Sequence, residues 1–197
     1  MANHLKIITL RGKAILPYVN DLAHLRIQVF KEYPYLYDGN LAYEKKYLQT
    51  YIDCVESGMV IVLDNQHVAG ASTAIPLCSG FAEVQEPFVK NNLNVKEFFY
   101  YGESVLLPAY RGQGIGKQFF SERDKMARAN HCRYATFCAV ERDPADPRRP
   151  ADYHSLEKLW RSQGFEKHPE LQLQFSWKEH DEATESPKTM IFWVKQL

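Results

Sequence analysis

The chain has 197 residues, enough for one sizeable hydrophobic core and short for two, so one domain spanning 1–197 is expected. Its 24 Lys and Arg balance its 24 Asp and Glu, which gives no support for a general nucleic-acid or membrane-surface partner. Aromatic residues make up 13%, rigid material that suits a core or a pocket without deciding between them.

In chain order, Leu5 to Leu10 reads as a strand and roughly Pro17 to Lys31 as a helix, with Val19, Leu22, Leu25, Ile27, Val29 and Phe30 nearer helical than alternating spacing. Pro34 and Gly39 punctuate the tyrosine-rich stretch Tyr33 to Gly39, and a second helix covers about Ala42 to Val55. Met59–Leu63 and Val68–Ile75 flank the polar connection Asp64 to His67 and predict a hairpin. A helix is expected around Glu86 to Leu93, then a strand from Phe98 to Leu107, a helix from about Gly114 to Ala129 and a strand from Tyr134 to Val140. The proline-rich, acidic stretch Glu141 to Asp152 reads as a loop. A short helix, Ser155 to Gln163, stops at Gly164. Strands Leu173–Lys178 and Thr189–Val194, separated by the acidic turn Glu179 to Glu185, close the chain. This order predicts a mixed α/β sheet with helices on its faces.

The N-terminal Met1-Ala2-Asn3-His4-Leu5-Lys6 lacks the apolar run of a secretory signal, and no stretch approaches the ~20 apolar residues of a membrane span. A cytoplasmic protein is expected. Cys54, Cys78, Cys132 and Cys138 form no Cys-x-x-Cys pair, so free thiols are expected. The histidines show no metal-ligand spacing, and no metal is expected.

Chemistry concentrates in Leu106-Leu107-Pro108-Ala109-Tyr110-Arg111-Gly112-Gln113-Gly114-Ile115-Gly116-Lys117. A strand enters a glycine-rich turn and the turn enters a helix. Glycines bring backbone close to a ligand. The first helical amides lack internal partners, and the helix dipole adds positive potential. Together they make an anion site suited to a phosphate or pyrophosphate, to which Arg111 and Lys117 add charge. The spacing is one residue short of a Walker loop, and Gln118 stands where Ser or Thr would hold magnesium. Gly112-x-Gly114-x-Gly116 also misses the Gly-x-Gly-x-x-Gly dinucleotide fingerprint.

Arg111, Gly114 and Gly116 do satisfy Arg/Gln-x-x-Gly-x-Gly/Ala after a strand, and Gly164-Phe165 follows a short helix. In these residues and in element order across nearly the whole chain, the sequence resembles the GNAT N-acetyltransferase superfamily. The resemblance implies a single-domain, mostly antiparallel sheet with helices on both faces and a splayed central strand pair, here Phe98–Leu107 and Tyr134–Val140. It implies acetyl-CoA as acetyl donor, with the pyrophosphate on Arg111, Gly112, Gln113, Gly114, Ile115, Gly116 and Lys117. The pantetheine arm would lie along the main chain of Leu106 and Leu107, walled by Trp160.

An acceptor amine must lose a proton before attack, and a carboxylate near the end of the splayed strand is the expected base. Glu103 holds that position and resembles the catalytic glutamate of some members. Strand alternation puts it beside Val105 and Leu107, an apolar setting that favours the neutral acid. The family's frequent tyrosine acid is replaced here by Trp160. That leaves Tyr153, His154 or solvent to protonate the leaving thiolate, with Tyr153 preferred. The family's usual acceptor region coincides with Tyr33, Tyr35, Tyr37 and Trp177, read either as an aromatic pocket for a small amine or as core and loop packing. Arg142, Arg148 and Arg149 either reach the adenosine 3′-phosphate or belong to a solvated loop. The apolar strand Met190–Val194 either extends the chain's own sheet or pairs across a homodimer. The alternative to transfer is a domain that binds acetyl-CoA for a regulatory or structural purpose.

Overall fold

A computed structural model describes residues 5–197; Met1 to His4, part of the N-terminal stretch read above, lie outside it. The strands are β1 (Leu5–Leu10), β2 (Gly58–Asp64), β3 (His67–Pro76), β4 (Phe98–Leu106), β5 (Tyr134–Val140), β6 (Glu166–Trp177) and β7 (Ser186–Gln196). They form one seven-stranded sheet in the order β1-β2-β3-β4-β5-β7-β6. Every neighbouring pair is antiparallel except β4 and β5.

The helices are α1 (Val19–Phe30), α2 (Leu41–Asp53), α3 (Ala82–Lys90), α4 (Ile115–Ala129) and α5 (Glu157–Ser162). Leu22 and Leu25 of α1, Leu48 and Ile52 of α2, and Val84 and Phe88 of α3 share one buried cluster with Ile61, Ile75 and Val105. Ile115, Phe119, Phe120 and Met126 of α4 share another with Val60, Val62, Phe99, Tyr101 and Trp193. The sheet is therefore covered on both faces, as the element order predicts.

Several boundaries differ from the sequence reading. The first helix is preceded by a 3₁₀ stretch, Gly12–Tyr18, and α1 proper starts at Val19. The third helix starts four residues earlier than expected and ends three earlier, because Val84 and Phe88, one turn apart, both reach the core. Asn91 ends it, donating its side-chain N–H to the Pro87 carbonyl at 2.9 Å. The sixth strand begins at Glu166 rather than Leu173. It is the edge strand, polar and Pro-containing at its start and bulged between His168 and Gln172, so its first half carries no apolar alternation to read. The final strand β7 is hydrogen-bonded on both sides, to β5 and β6. Its Met190–Val194 segment thus extends the chain's own sheet and offers no edge for pairing across a dimer.

Two irregularities shape the centre. First, β4 and β5 pair only at Phe98–Tyr100 against Tyr134–Thr136, although β4 continues to Leu106 and β5 to Val140; beyond Tyr100 the two strands part. Second, Ser72 pairs with Ser104 and Ala74 with Tyr101, so Thr73 faces both Gly102 and Glu103. This bulge reverses the side-chain alternation of β4.

The four cysteines are free. No helix among the described residues is long and apolar enough to cross a membrane.

Candidate active site

The glycine-rich segment has the expected form. Gly112 and Gly114 take φ of +76° and +81°, the left-handed region glycine enters without a Cβ clash. A Cβ at either would meet no atom within 4 Å, so steric crowding does not account for these glycines; their backbone conformation does. Among the described residues no backbone carbonyl accepts from the amides of Gly112, Gln113, Gly114, Ile115 or Gly116, whereas Lys117 and Gln118 already donate to the Gly114 carbonyl. A cluster of free N–H groups at the N-terminus of a four-turn helix is suited to cradling an anion.

Arg111 is placed differently. Its Nη1 and Nη2 donate to the Glu32 carboxylate at 2.8 and 3.0 Å, and its Nε donates to the Leu106 carbonyl at 3.0 Å. Both side chains of the pair are over two-fifths exposed, and exposed ion pairs hold weakly, so exchanging Glu32 for a phosphate costs little. Lys117 is exposed.

Where β4 and β5 part, β4 presents main chain that β5 does not pair, the Leu106 carbonyl being held by Arg111 Nε. The Leu107 amide donates to Ala69 O at 2.9 Å, so it faces β3 and not the opening. By antiparallel alternation the N–H and C=O of Ser104 and Leu106 turn to the open side. Of the two leucines expected to contact a ligand arm, Leu106 is the one so turned.

Glu103 lies on the bulge and is buried. It shares its face with Val105 and Leu107, but its carboxylate environment is not apolar. Oε1 pairs with Arg26 Nη1 at 2.8 Å. Oε2 accepts from Tyr47 Oη at 2.7 Å and Thr73 Oγ1 at 2.8 Å. The expectation of an apolar setting fails because the bulge aims the carboxylate at the polar groups of α1, α2 and β3. Behind the strand, Arg123 of α4 donates from Nη1 to the Glu103 carbonyl at 3.3 Å and lies over the Tyr101 ring at 4.4 Å; burial brings its guanidinium down to about 10.

The fold recurs in solved structures. An acetyltransferase of the GNAT family from Streptococcus pneumoniae matches 98% of this chain and 99% of its own at a TM-score of 0.61 and 13% identity. A ribosomal-protein-alanine N-acetyltransferase from Brucella melitensis matches 96% of this chain and 99% of its own, at 0.61 and 15%. A GNAT family acetyltransferase from Elizabethkingia anophelis, with acetyl-CoA bound, matches both chains over 100% at 0.55 and 14%. The fold is that of the GNAT acetyltransferases. No family model and no curated protein sequence matches the chain.

Within the GNAT fold the remaining expected residues fall into two groups. Tyr33 and Tyr153 meet edge to face, ring centroids 4.7 Å apart, and burial followed by the Tyr33 neighbour raises the Tyr153 phenol. Tyr35 packs between Phe30 at 4.7 Å and Trp177 at 6.0 Å; Trp177 Nε1 donates to the Tyr35 carbonyl at 2.9 Å. Burial, then the Glu44 carboxylate, raises the Tyr37 phenol. These side chains are gathered in one region but largely against each other. His154 is exposed. Trp160 packs against Phe137 and Trp193, each at 5.1 Å, in the α4-side core. Its neighbour Leu159 is the residue that comes up to Gly116, 3.5 Å from where a Cβ would stand.

Of the arginines in the 142–150 loop, Arg142 and Arg148 are tied into ion pairs within the protein and Arg149 is exposed. Arg142 Nε donates to Pro34 O at 2.7 Å, and both Arg142 and Arg148 pair with buried Glu179. Arg149 lies over the Tyr153 ring at 5.4 Å. A buried Glu179 needs cationic partners, and this loop supplies them, tying Tyr33–Gly39 to the β6–β7 turn. Hydrogen bonds from Arg148 hold the Asp146 carboxyl at about 2, and those from Lys188 and Ser186 hold Glu182 at about 2. Carboxyls lowered in the folded state contribute stability that is complete above their unfolded value, near ~4, and is lost as pH falls through the folded value. The thermal midpoint should therefore fall on acidification from about pH 4 to about pH 2. Arg148→Gln should flatten that fall; an unchanged acid dependence would show that Asp146 is not so held.

Sequence reasoning missed Arg26, Glu44, Tyr47 as a donor to Glu103, and Arg123. The available signal was an arginine inside the apolar face of a predicted helix, as at Arg26 between Leu22, Leu25 and Phe30.

Proposed function

We propose that the protein transfers the acetyl group of acetyl-CoA to the amine of a small acceptor. The observation carrying this reading is the meeting, at the end of one strand, of an open β4 edge and a helix N-terminus with unpartnered amides. Similar structures with acetyl-CoA bound support the choice of donor. The cradle's chemistry fits a pyrophosphate, and open space over Gly112 and Gly114 admits it. When bound, acetyl-CoA supplies a thioester-activated acetyl group.

The protein's own groups do the rest. The amides of Gly112 to Gly116 hold the pyrophosphate, with Lys117 adding charge and Arg111 adding more once released by Glu32. The main chain of Leu106 aligns the pantetheine arm as an added strand. Glu103 takes the proton that the amine must lose, with the Tyr47 hydroxyl placed to pass it to Oε2. Tyr153, kept protonated by its raised pKa, is the donor to the leaving thiolate. The acceptor enters beside Tyr33, Tyr35, Tyr37 and Trp177, and Trp160, packed on Phe137 and Trp193 next to Leu159, walls the arm.

Thermal unfolding with acetyl-CoA, CoA, ATP or NAD tests the donor. A ligand binding only the folded state at a hundredfold excess over Kd adds about 2.7 kcal/mol, a rise of roughly 5–10 °C for a chain of this length. A rise with acetyl-CoA and CoA and none with ATP or NAD is expected; no rise with either CoA ligand would sink the proposal.

A further inference from the structure

Two buried carboxylates share one guanidinium beneath the β4 bulge. Arg26 of α1 is buried, as are Glu44 of α2 and Glu103 of β4. Arg26 Nε pairs with Glu44 Oε2, and its Nη1 pairs with Glu103 Oε1 at 2.8 Å. The guanidinium is sandwiched between the Tyr47 ring at 3.9 Å and the Phe30 ring at 5.1 Å, so it cannot turn to solvent. Glu44 Oε1 and Arg26 Nη1 are both buried without a hydrogen-bond partner among the described residues, so Arg26 Nη1 meets Glu103 as an ion pair and not through an aligned hydrogen bond. With all three ionised the trio is net negative, in a place where burying unpaired charge is costly.

A salt-bridged carboxylate is ordinarily a poor base, because protonating it strands its cation. Here a second carboxylate prevents that. When Glu103 takes a proton, Arg26 keeps Glu44 as its counter-ion and the trio becomes neutral. We infer that Arg26 and Glu44 are positioning residues that make Glu103 able to accept a proton: Arg26 orients the carboxylate, and Glu44 compensates Arg26 once that proton has arrived. The inference rests on the reading of Glu103 as the base and extends it to two residues that need not touch a substrate.

The other ionisable groups acting on the trio are Tyr35, Tyr37, Tyr43, Tyr47 and Tyr51, with Arg123 behind β4. Burial opposes the charged form of Arg26, but the carboxylates of Glu103 and Glu44 outweigh it and hold the guanidinium charged. Burial raises Tyr47 and Tyr51, which stay neutral.

The test needs no acceptor. In protein labelled with ¹³C at the glutamate carboxyls, Glu103→Gln identifies the Glu103 resonance, and its movement is followed against pH in wild type, Glu44→Gln and Arg26→Lys. Removing the Glu44 charge should carry the Glu103 transition about one unit or more to lower pH. Arg26→Lys keeps the cation but loses the forked contact, and should leave that transition close to wild type while raising the mobility of the Glu103 side chain. An unmoved transition in Glu44→Gln, in a variant whose circular dichroism matches wild type, overturns the inference. If Glu44→Gln does not fold, the movement of the Glu44 resonance in wild type decides: linked transitions of Glu44 and Glu103 support the trio, and independent ones overturn it. Calorimetric titration of the same samples with acetyl-CoA is separate. Lack of binding there would end the acetyltransferase reading and leave the titration result standing.

Discussion

Glu103→Gln is expected to lower kcat by on the order of a hundredfold or more, the range a positioned general base contributes, while acetyl-CoA affinity stays near wild type. The substitution suits the site. The amide oxygen can keep the Arg26 contact, and the amide N–H groups face Tyr47 Oη and Thr73 Oγ1, hydroxyls that turn readily from donor to acceptor. Arg26 retains Glu44, so folding should survive and the loss should lie in proton transfer. The cradle at Gly112–Gly116 is on the loop beyond the strand and does not involve this carboxylate. Turnover would be measured by thiol release with an amine that the wild type acetylates. Turnover within twofold of wild type near neutral pH would remove Glu103 from the mechanism, and a parallel fall in acetyl-CoA affinity would recast it as a residue that shapes the cleft.

Gly102→Ala is expected to cost about 3 kcal/mol, the upper range for overfilling a packed interior. That is a fall of roughly 6–12 °C in thermal midpoint for a chain of this size. A Cβ at Gly102 would collide with Tyr51 Oη and stand 2.5 Å from Thr73 Oγ1 and 2.9 Å from Tyr47 Oη. These hydroxyls surround the Glu103 carboxylate, and Tyr47 and Tyr51 are also within hydrogen-bonding distance of each other, at 2.9 Å. The glycine is thus required by the convergence of three side chains on the bulge, since its φ is not in the left-handed region. Pushing them aside also leaves a buried carboxylate short of donors, which adds to the cost. Scanning calorimetry of Gly102→Ala beside wild type would read the effect. A midpoint within about 2 °C would mean that the hydroxyl cluster can yield, and that the bulge is not held by it.

The parts of this protein legible in its sequence are those written in local spacing. The strand, glycine turn and helix from Phe98 to Ala129 could be read because conformation there depends on glycines and on a helical apolar stripe within the same few turns. The hairpin of β2 and β3, the strand β5 and the stop at Gly164 were legible for the same reason. Glu103 could be picked out only through the resemblance, which expects a carboxylate near the end of the splayed strand.

Its neighbours could not. Arg26 and Glu44 come from helices far earlier in the chain, and only sheet order and the bulge opposite Thr73 bring them to its carboxylate. The polar first half of β6 had no alternation to betray it, since an edge strand borrows its order from β7. Arg142 and Arg148 read as loop cations until Glu179 proved buried beside them. By itself the sequence determined the order of elements and the anion cradle, because each follows from contacts between residues close along the chain. Tertiary structure alone decided the charge balance around Glu103, because burial and pairing depend on residues that only folding makes neighbours.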